Sequence, residues 1–403
     1  MKRVLFVDDE PSVVQGLRRM LHSLRNEWEM TFVSSGREAL ACMSVKEIDV
    51  IITDMRMPQM NGAQLLAEVK RLHPGTIRII LSGYSDRELI MQSVGSAHNY
   101  LAKPCEPSEL KATVEHSFVI QEMVNDERIR SKVMSLEALP MLPATYQKLI
   151  AALGDEKSDI DSISDIIRSD VGISAKVLHL INSAFFGRSS RVENIGRAVS
   201  LLGLETIRSL VLTTGVFEQF SDDSINGESL ERVYSHCVEV GNIAAKVARA
   251  LKHEKEGIES ALLAGMMHDV GKAIFLTSFR EQMQEAFKLA GERKTKCHLV
   301  EDEILGVTHA EVGGYLLSLW GEAHDKVEAV ALHHHPSRTE FAKSNTLTAV
   351  HIADAISRRP KYDDIETWKE QELDMEYLEK LGLVDQVLDM VIDLAPVPEE
   401  VGG

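Results

Sequence analysis

At 403 residues the chain is too long for one ordinary core, so two or three domains are expected. Its 44% hydrophobic and 26% charged residues match a soluble globular protein, and a formal net charge of −18 argues against a nucleic-acid-gripping surface, which needs clustered Lys and Arg. Cys42, Cys105, Cys237 and Cys297 are widely spaced and form no CxxC pair, which argues against a disulfide framework or structural zinc site and fits a reducing compartment.

The first stretch alternates short apolar runs with amphipathic helical patterns. Residues 4–7 lead into Asp8-Asp9, 49–53 into Asp54, 77–81 into Ser82 and 99–102 into Lys103, with helical patterns over 13–24 and 65–72. Such alternation predicts a parallel sheet covered on both faces, with reactive groups at the carboxyl ends of its strands. After Pro107 the pattern is helical, and Leu110, Val114, Ser117, Gln121 and Val124 share a stripe. The first domain is expected to occupy 1–120 and a helical linker 121–138. That stripe suits an ordinary terminal helix or a dimerising, signal-transmitting one, and both readings stay open, a homodimer following from the second.

Leu139-Pro140-Met141-Leu142-Pro143 marks a boundary, and beyond it the chain reads as all-α. Helical stripes cover 160–168, 173–181 and 198–202, with a tight junction around Gly203. Histidines become frequent after Glu228, so an output domain over 139–390 is expected in lobes of about 139–225 and 228–390, with an acidic, frayed tail over 391–403. MKRVLFVDDE meets acid before a signal core can form, and no apolar run reaches the ~20 residues needed to span a bilayer. A cytoplasmic location without membrane insertion is the expectation.

Asp8, Asp9 and Asp54 gathered at strand ends would repel one another unless a hard dication sat among them, and Mg²⁺ suits such oxygen ligands. The ion would neutralise an incoming phosphoryl group while Lys103 paired with its oxygens. Asp54 would then be the nucleophile, forming an acyl phosphate. Ser82 offers a hydroxyl to the phosphoryl group, Gly83 leaves the entrance open, and Pro58 and Gly62 shape the turn after Asp54.

The motifs VLFVDDEP, VIITDMRMPQMNG, ILSG and YLAKP make residues 1–120 resemble the receiver domain of two-component response regulators. The resemblance implies a flavodoxin-like, doubly wound five-stranded parallel sheet and phosphorylation of Asp54 by a histidine kinase. It also implies Mg²⁺ held by Asp9, Asp54 and the backbone carbonyl of Arg56, with Asp8 close by. Ser82 and Tyr100 would form the switch pair, the hydroxyl moving towards phosphate and the ring turning inward.

Further along, His236, His268, Asp269, His309, His333-His334-His335 and Asp354 interrupt apolar helical faces. Buried polar groups need partners, so these either hydrogen-bond one another or converge on a divalent transition metal, and the residues alone leave both open. LPMLPATYQKLIAAL, IIRSDVGISAKVLHLINSAFFG, IGRAVSLLGLETIRSLVL, LLAGMMHDVGK and THAEVGGYLLSLWG make residues 134–390 resemble HDOD domains, a regulatory branch of the HD-type metal-dependent phosphohydrolases.

That resemblance implies an HD-like all-α output that binds another signalling protein, such as a cyclic di-GMP enzyme or a kinase. The alternative is a receiver-gated metal-dependent phosphohydrolase. His236, His268, Asp269 and Asp354 follow the H…HD…D order of the superfamily. His309 and His334 stand where HD-GYP phosphodiesterases place further metal ligands, and Lys272 stands where a substrate contact is made. Pro336-Ser337-Arg338 replaces the GYP-type loop, which speaks against cyclic di-GMP as substrate. DNA binding is the least expected output.

Overall fold

The computed structural model describes the chain except for residues 83–95, 104, 120–123, 125, 137–142, 155–157, 183–191, 205, 208–228, 340–344, 360–363 and 395–403. Five strands, β1 (Lys2–Val7), β2 (Trp28–Val33), β3 (Val50–Asp54), β4 (Ile77–Ser82) and β5 (Asn99–Ala102), form one parallel sheet ordered β2-β1-β3-β4-β5. Side chains alternate across it. Val4, Phe6, Val50 and Ile52 enter one core, while Leu5, Val7 and Ile51 enter the other. Strand order reverses between β1 and β3, and their carboxyl ends diverge there into the crevice where such folds place their sites.

The fifth strand, Trp28–Val33, was not among the apolar runs in the sequence. It is an edge strand whose residues after Trp28 are exposed or half-buried, so Glu29 and Thr31 break any continuous apolar run. The helix expected over 13–24 is Pro11–Met20, followed by a 3₁₀ turn at His22–Asn26. The helix expected over 65–72 begins at Gly62, because Asn61 accepts from Gln64 N–H at 2.8 Å in a capping box.

Beyond Pro107–Val119 and Glu127–Ser135, the described elements are helical. Pro143–Gly154, Ile160–Arg168, Val171–Asn182 and Ile195–Leu202 precede the second lobe, which opens with Leu230–Ala250. That long helix packs against Lys255–Met267 and Thr346–Arg358. Helices continue to Leu394, and Trp368, Tyr377, Leu378 and Val387 join Val240, Ala244 and Val350 in a separate core. No described helix is long and apolar enough to cross a membrane.

The first core does not stop at the receiver sheet. It runs from Phe6 and Ile52 through Val114, Ile129 and Val133 to Tyr315, Leu316 and Leu319. Arg78, 1% exposed on β4, donates to Met134 O at 2.8 Å and to Ser96 O at 2.6 Å, pinning the end of Glu127–Ser135 to the sheet.

Candidate functional site

At the sheet's carboxyl edge, Asp8 is 2% and Asp54 9% exposed, Asp9 is half-buried, and Lys103 reaches over from the end of β5. Lys103 Nζ donates to Asp8 Oδ2 at 2.6 Å and to Asp54 Oδ1. The other Asp54 oxygen accepts from Arg56 N–H at 2.6 Å. Burial pushes the Asp54 carboxyl above its ordinary range against the pull of Lys103. At Lys103 burial opposes the charge, but the bonds to Asp54 and Asp8 outweigh it and raise the ammonium. Among the described residues Asp8, Asp9 and Asp54 do not gather three ligand atoms within 4.8 Å of one another, and the ammonium of Lys103 bridges Asp8 and Asp54. The residue types fit a hard dication, as Lys103 already supplies one positive charge to two carboxylates there.

Tyr100, 4% exposed, lies on β5, two strands from Asp54 with β4 between them. Ser82 ends β4; its side chain, like Gly83, lies outside the described residues. Tyr100 belongs to the receiver core with Ile80 and Met55 and also meets the helical domain. Its ring centroid is 6.3 Å from that of His179, whose ring is 5.6 Å from Trp320 and whose Nδ1 lies 3.1 Å from Trp320 O.

The second site assembles in the histidine-rich lobe. His268 and Asp269 are not inside one helix, as the apolar run suggested, but form the junction between Lys255–Met267 and Val270–Ser278. The break turns both side chains into the lobe's centre. Gly271 lets the second helix approach the next element, because a Cβ there would come within 1.9 Å of His309 O. His309 opens His309–Leu319 behind the Thr308–Glu311 capping box, and His333 and His334 follow His324–Leu332.

Two sets of ligand atoms result, each within 4.8 Å: Asp269, His309, His333 and His334, and His236, His268 and Asp354. Asp269 also connects them. Its Oδ1 is 2.9 Å from His309 Nε2 and 3.7 Å from His333 Nε2, and its Oδ2 is 3.4 Å from His268 Nε2 and 3.8 Å from His236 Nε2. All six second-site residues expected from the sequence meet here. His333 joins them, although the resemblance singled out only His334 of the His-His-His run: nothing in the sequence says which ring turns inward.

Hydrogen bonds set the ring orientations. His268 Nδ1 lies 2.8 Å from Gly265 O and His333 Nδ1 2.8 Å from Val330 O; a carbonyl only accepts, so each Nδ1 carries a proton. Each Nε2 is turned into the cluster, where His268 Nε2, His333 Nε2 and Asp269 Oδ1 are buried without a hydrogen-bond partner; the 2.9 Å approach of His309 is not aligned to make one. Glu301, fully buried, holds His309 Nδ1 at 2.6 Å and His309 N–H at 2.9 Å, a carboxylate–histidine pairing typical behind metal ligands. The glutamate drew no notice in the sequence because it sits on an ordinary amphipathic helix.

The charges tell the same story. Burial opposes ionisation of Asp269 and Asp354, but His268, Lys272 and His309 around the first and Arg358 and His236 around the second hold both well below the carboxylate range. Burial also opposes charge on His268, yet Asp269 and Asp354 raise it well above the usual histidine range. Orphaned nitrogens, a shared carboxylate and a mixed imidazole–carboxylate set fit a transition-metal pair.

The HDOD domain family matches residues 139–336, and the response regulator receiver domain family matches 4–115. An uncharacterized protein of Treponema pallidum (strain Nichols) is 24% identical over 201 residues, covering 49% of this chain and 38% of the relative. The hydrogenase transcriptional regulatory protein HoxA of Cupriavidus necator is 38% identical over 125 residues, covering 30% of this chain and 25% of that one. The chain thus spans well under half the length of the curated relatives it matches. Among solved structures, the MmoQ response regulator of Methylococcus capsulatus is 17% identical with a TM-score of 0.46, over 63% of this chain and 98% of that chain. A receiver domain from an HD domain-containing protein of Pseudomonas fluorescens Pf-5 is 29% identical with a TM-score of 0.29, over 30% of this chain and 97% of that one. With a carboxylate–lysine crevice at its strand ends and a histidine-rich helical lobe, the chain joins a response regulator receiver domain to an HDOD domain.

Proposed function

We propose that a histidine kinase phosphorylates Asp54 and that the HDOD domain passes this state to a second signalling protein, such as a cyclic di-GMP enzyme or a kinase. The reading rests on one observation: Lys103 Nζ is bonded to both Asp8 and Asp54 at the strand ends. An Asp54 carboxylate oxygen attacks the phosphorus of the kinase's phosphohistidine, the P–N bond breaks, the kinase imidazole leaves and takes up a proton, and Lys103 turns from the carboxylates to the oxygens of the new acyl phosphate. Asp8, Asp9, Asp54 and the Arg56 carbonyl would hold Mg²⁺, which offsets charge on the transferred group. Ser82 and Tyr100 serve as the switch pair, and the output unit extends over 139–390. A cytoplasmic location fits a receiver served by a soluble kinase domain; the apolar members of the stripe, Leu110, Val114 and Val124, are taken up by the chain's own core, so the stripe does not support a homodimer. Incubation with acetyl phosphate and magnesium should add one phosphoryl group by mass spectrometry, and none to Asp54→Asn. Equal labelling of both would defeat the proposal.

The orphaned nitrogens of the HDOD cluster favour a second reading, in which the output is a receiver-gated metal-dependent phosphohydrolase. His236, His268, Asp269, His309, His333, His334 and Asp354 would hold the metals, which polarise a phosphoester and supply hydroxide when bound. Purified protein should retain transition metal in elemental analysis, and His333→Ala should retain about half or less. Metal-free wild-type protein that takes up no Mn²⁺ or Fe²⁺ on dialysis would remove this reading.

A further inference from the structure

Pro336 decides how the His333-His334-His335 run is held. A residue before proline is driven out of the helical region, and His335 has φ −137° and ψ 59°, so the helix His324–Leu332 ends here. In a continuing helix Ser337 N–H would bond the carbonyl of His333. It goes instead to Asp374 Oδ2 at 3.2 Å, which leaves the carbonyl of a buried residue in need of another donor. That donor is His351, 4% exposed on Thr346–Arg358, whose Nδ1 lies 2.8 Å from His333 O.

We infer that His351 is a positioning residue of the metal cradle, which sets the peptide plane between His333 and His334 and so aims both rings at Asp269 and His309. The inference rests on the metal reading above. The carbonyl of His333 belongs to the plane that joins the two histidines. Holding it restricts ψ of the first and φ of the second, and with them the directions of both side chains. His351 is no ligand itself, because both its nitrogens are committed. Nδ1 donates to His333 O, and Nε2 accepts from Asp374 N–H at 3.0 Å, which fixes one neutral tautomer. Asp374 caps the helix Met375–Leu381 through Tyr377 N–H at 3.1 Å, so the start of that helix holds His351 on one side and Ser337 on the other.

Other contacts act on the two rings alone. His298 stacks on His334 with centroids 4.0 Å apart, and His333 Nδ1 meets Val330 O at 2.8 Å. His351 acts on the backbone that the rings share. It stands three residues before Asp354, so Thr346–Arg358 supplies a ligand to one set and aims two ligands of the other. His351 and Asp374 both lie past the 139–336 match, so this support comes from outside the part of the chain that carries the family pattern.

The test titrates full-length, metal-free protein with Co²⁺, counting bound metal by elemental analysis and recording visible absorption, which reports ligand geometry at the ion. His351→Phe keeps a flat ring and loses the donor. It should weaken the cobalt step that His333→Ala abolishes by about tenfold or more, and leave any other step within about twofold. The visible band at saturating cobalt should also change. His351→Asn, whose amide can donate to His333 O, should recover part of the affinity and of the band. Should His351→Phe fail to fold by circular dichroism, His351→Met takes its place with the same expectations. A lower melting temperature with an unchanged saturated spectrum makes His351 ordinary packing and overturns the inference. Equal loss at every step, or no recovery with asparagine, also overturns it, and in each case the metal reading stands. Wild type that binds no cobalt removes both.

Discussion

Lys103 shows how a single side chain fixes the resting state of the receiver. Its ammonium replaces solvent for two carboxylates that are nearly out of contact with water. Lys103→Met should therefore destabilise the fold by about 1–3 kcal/mol in urea unfolding without divalent ions, the cost of leaving buried charges unpaired. Magnesium should restore more stability to that variant than to wild type, because the ion takes over the lost charge. Equal magnesium responses would show that Lys103 and the ion do not share this role.

At the scale of the element, Glu127–Ser135 carries the argument between domains. Asp126 caps it, accepting from Arg128 N–H at 2.8 Å and Ile129 N–H at 3.3 Å, and with the Arg128 guanidinium beside it the carboxyl is lowered to about 2. A lowered carboxyl stabilises the fold above its ordinary pKa near 3.9, and that contribution fades as pH falls towards 2. Asp126→Asn keeps the cap and loses the titration, so its stability relative to wild type should rise as pH drops from 5 to 3. Asp126→Ala should cost about 1 kcal/mol at neutral pH. Denaturant midpoints across that range check both.

Elements also show what the sequence reveals and what it hides. Strand ends at Asp54, Ser82 and Lys103 were legible because these buried parallel strands are mainly apolar runs, interrupted on β4 by the buried Arg78, that stop at a polar residue. The edge strand Trp28–Val33 has no such run, and the helix break at His268-Asp269 lies inside one that is apolar throughout. Glu301 is ordinary in sequence and acquires meaning only when distant helices meet, and of three consecutive histidines only the fold shows that His333 turns inward.

For the whole molecule, the contact between Tyr100 and the HDOD domain matters most. Gly321 follows His309–Leu319 with φ of +69°, and a Cβ there would lie 2.4 Å from Asn99 Nδ2, beside Tyr100. One end of this helix therefore touches β5 and the other presents His309 to the cluster, about 16 Å away at 1.5 Å per residue. Beryllofluoride with magnesium should change Trp320 fluorescence in wild type, and the change should vanish in Asp54→Asn and in Trp320→Phe. A response that persists without Trp320 would place the coupling elsewhere.

The apolar core that runs from Phe6 to Leu319 has a practical corollary. Cutting the chain near residue 138 would strip the cover from Tyr315, Leu316 and Leu319, so an excised output fragment would carry a sticky scar where its sensor had been. Aggregation or new binding by such a fragment would report that scar, and the natural behaviour of the output must be sought in the uncut polypeptide.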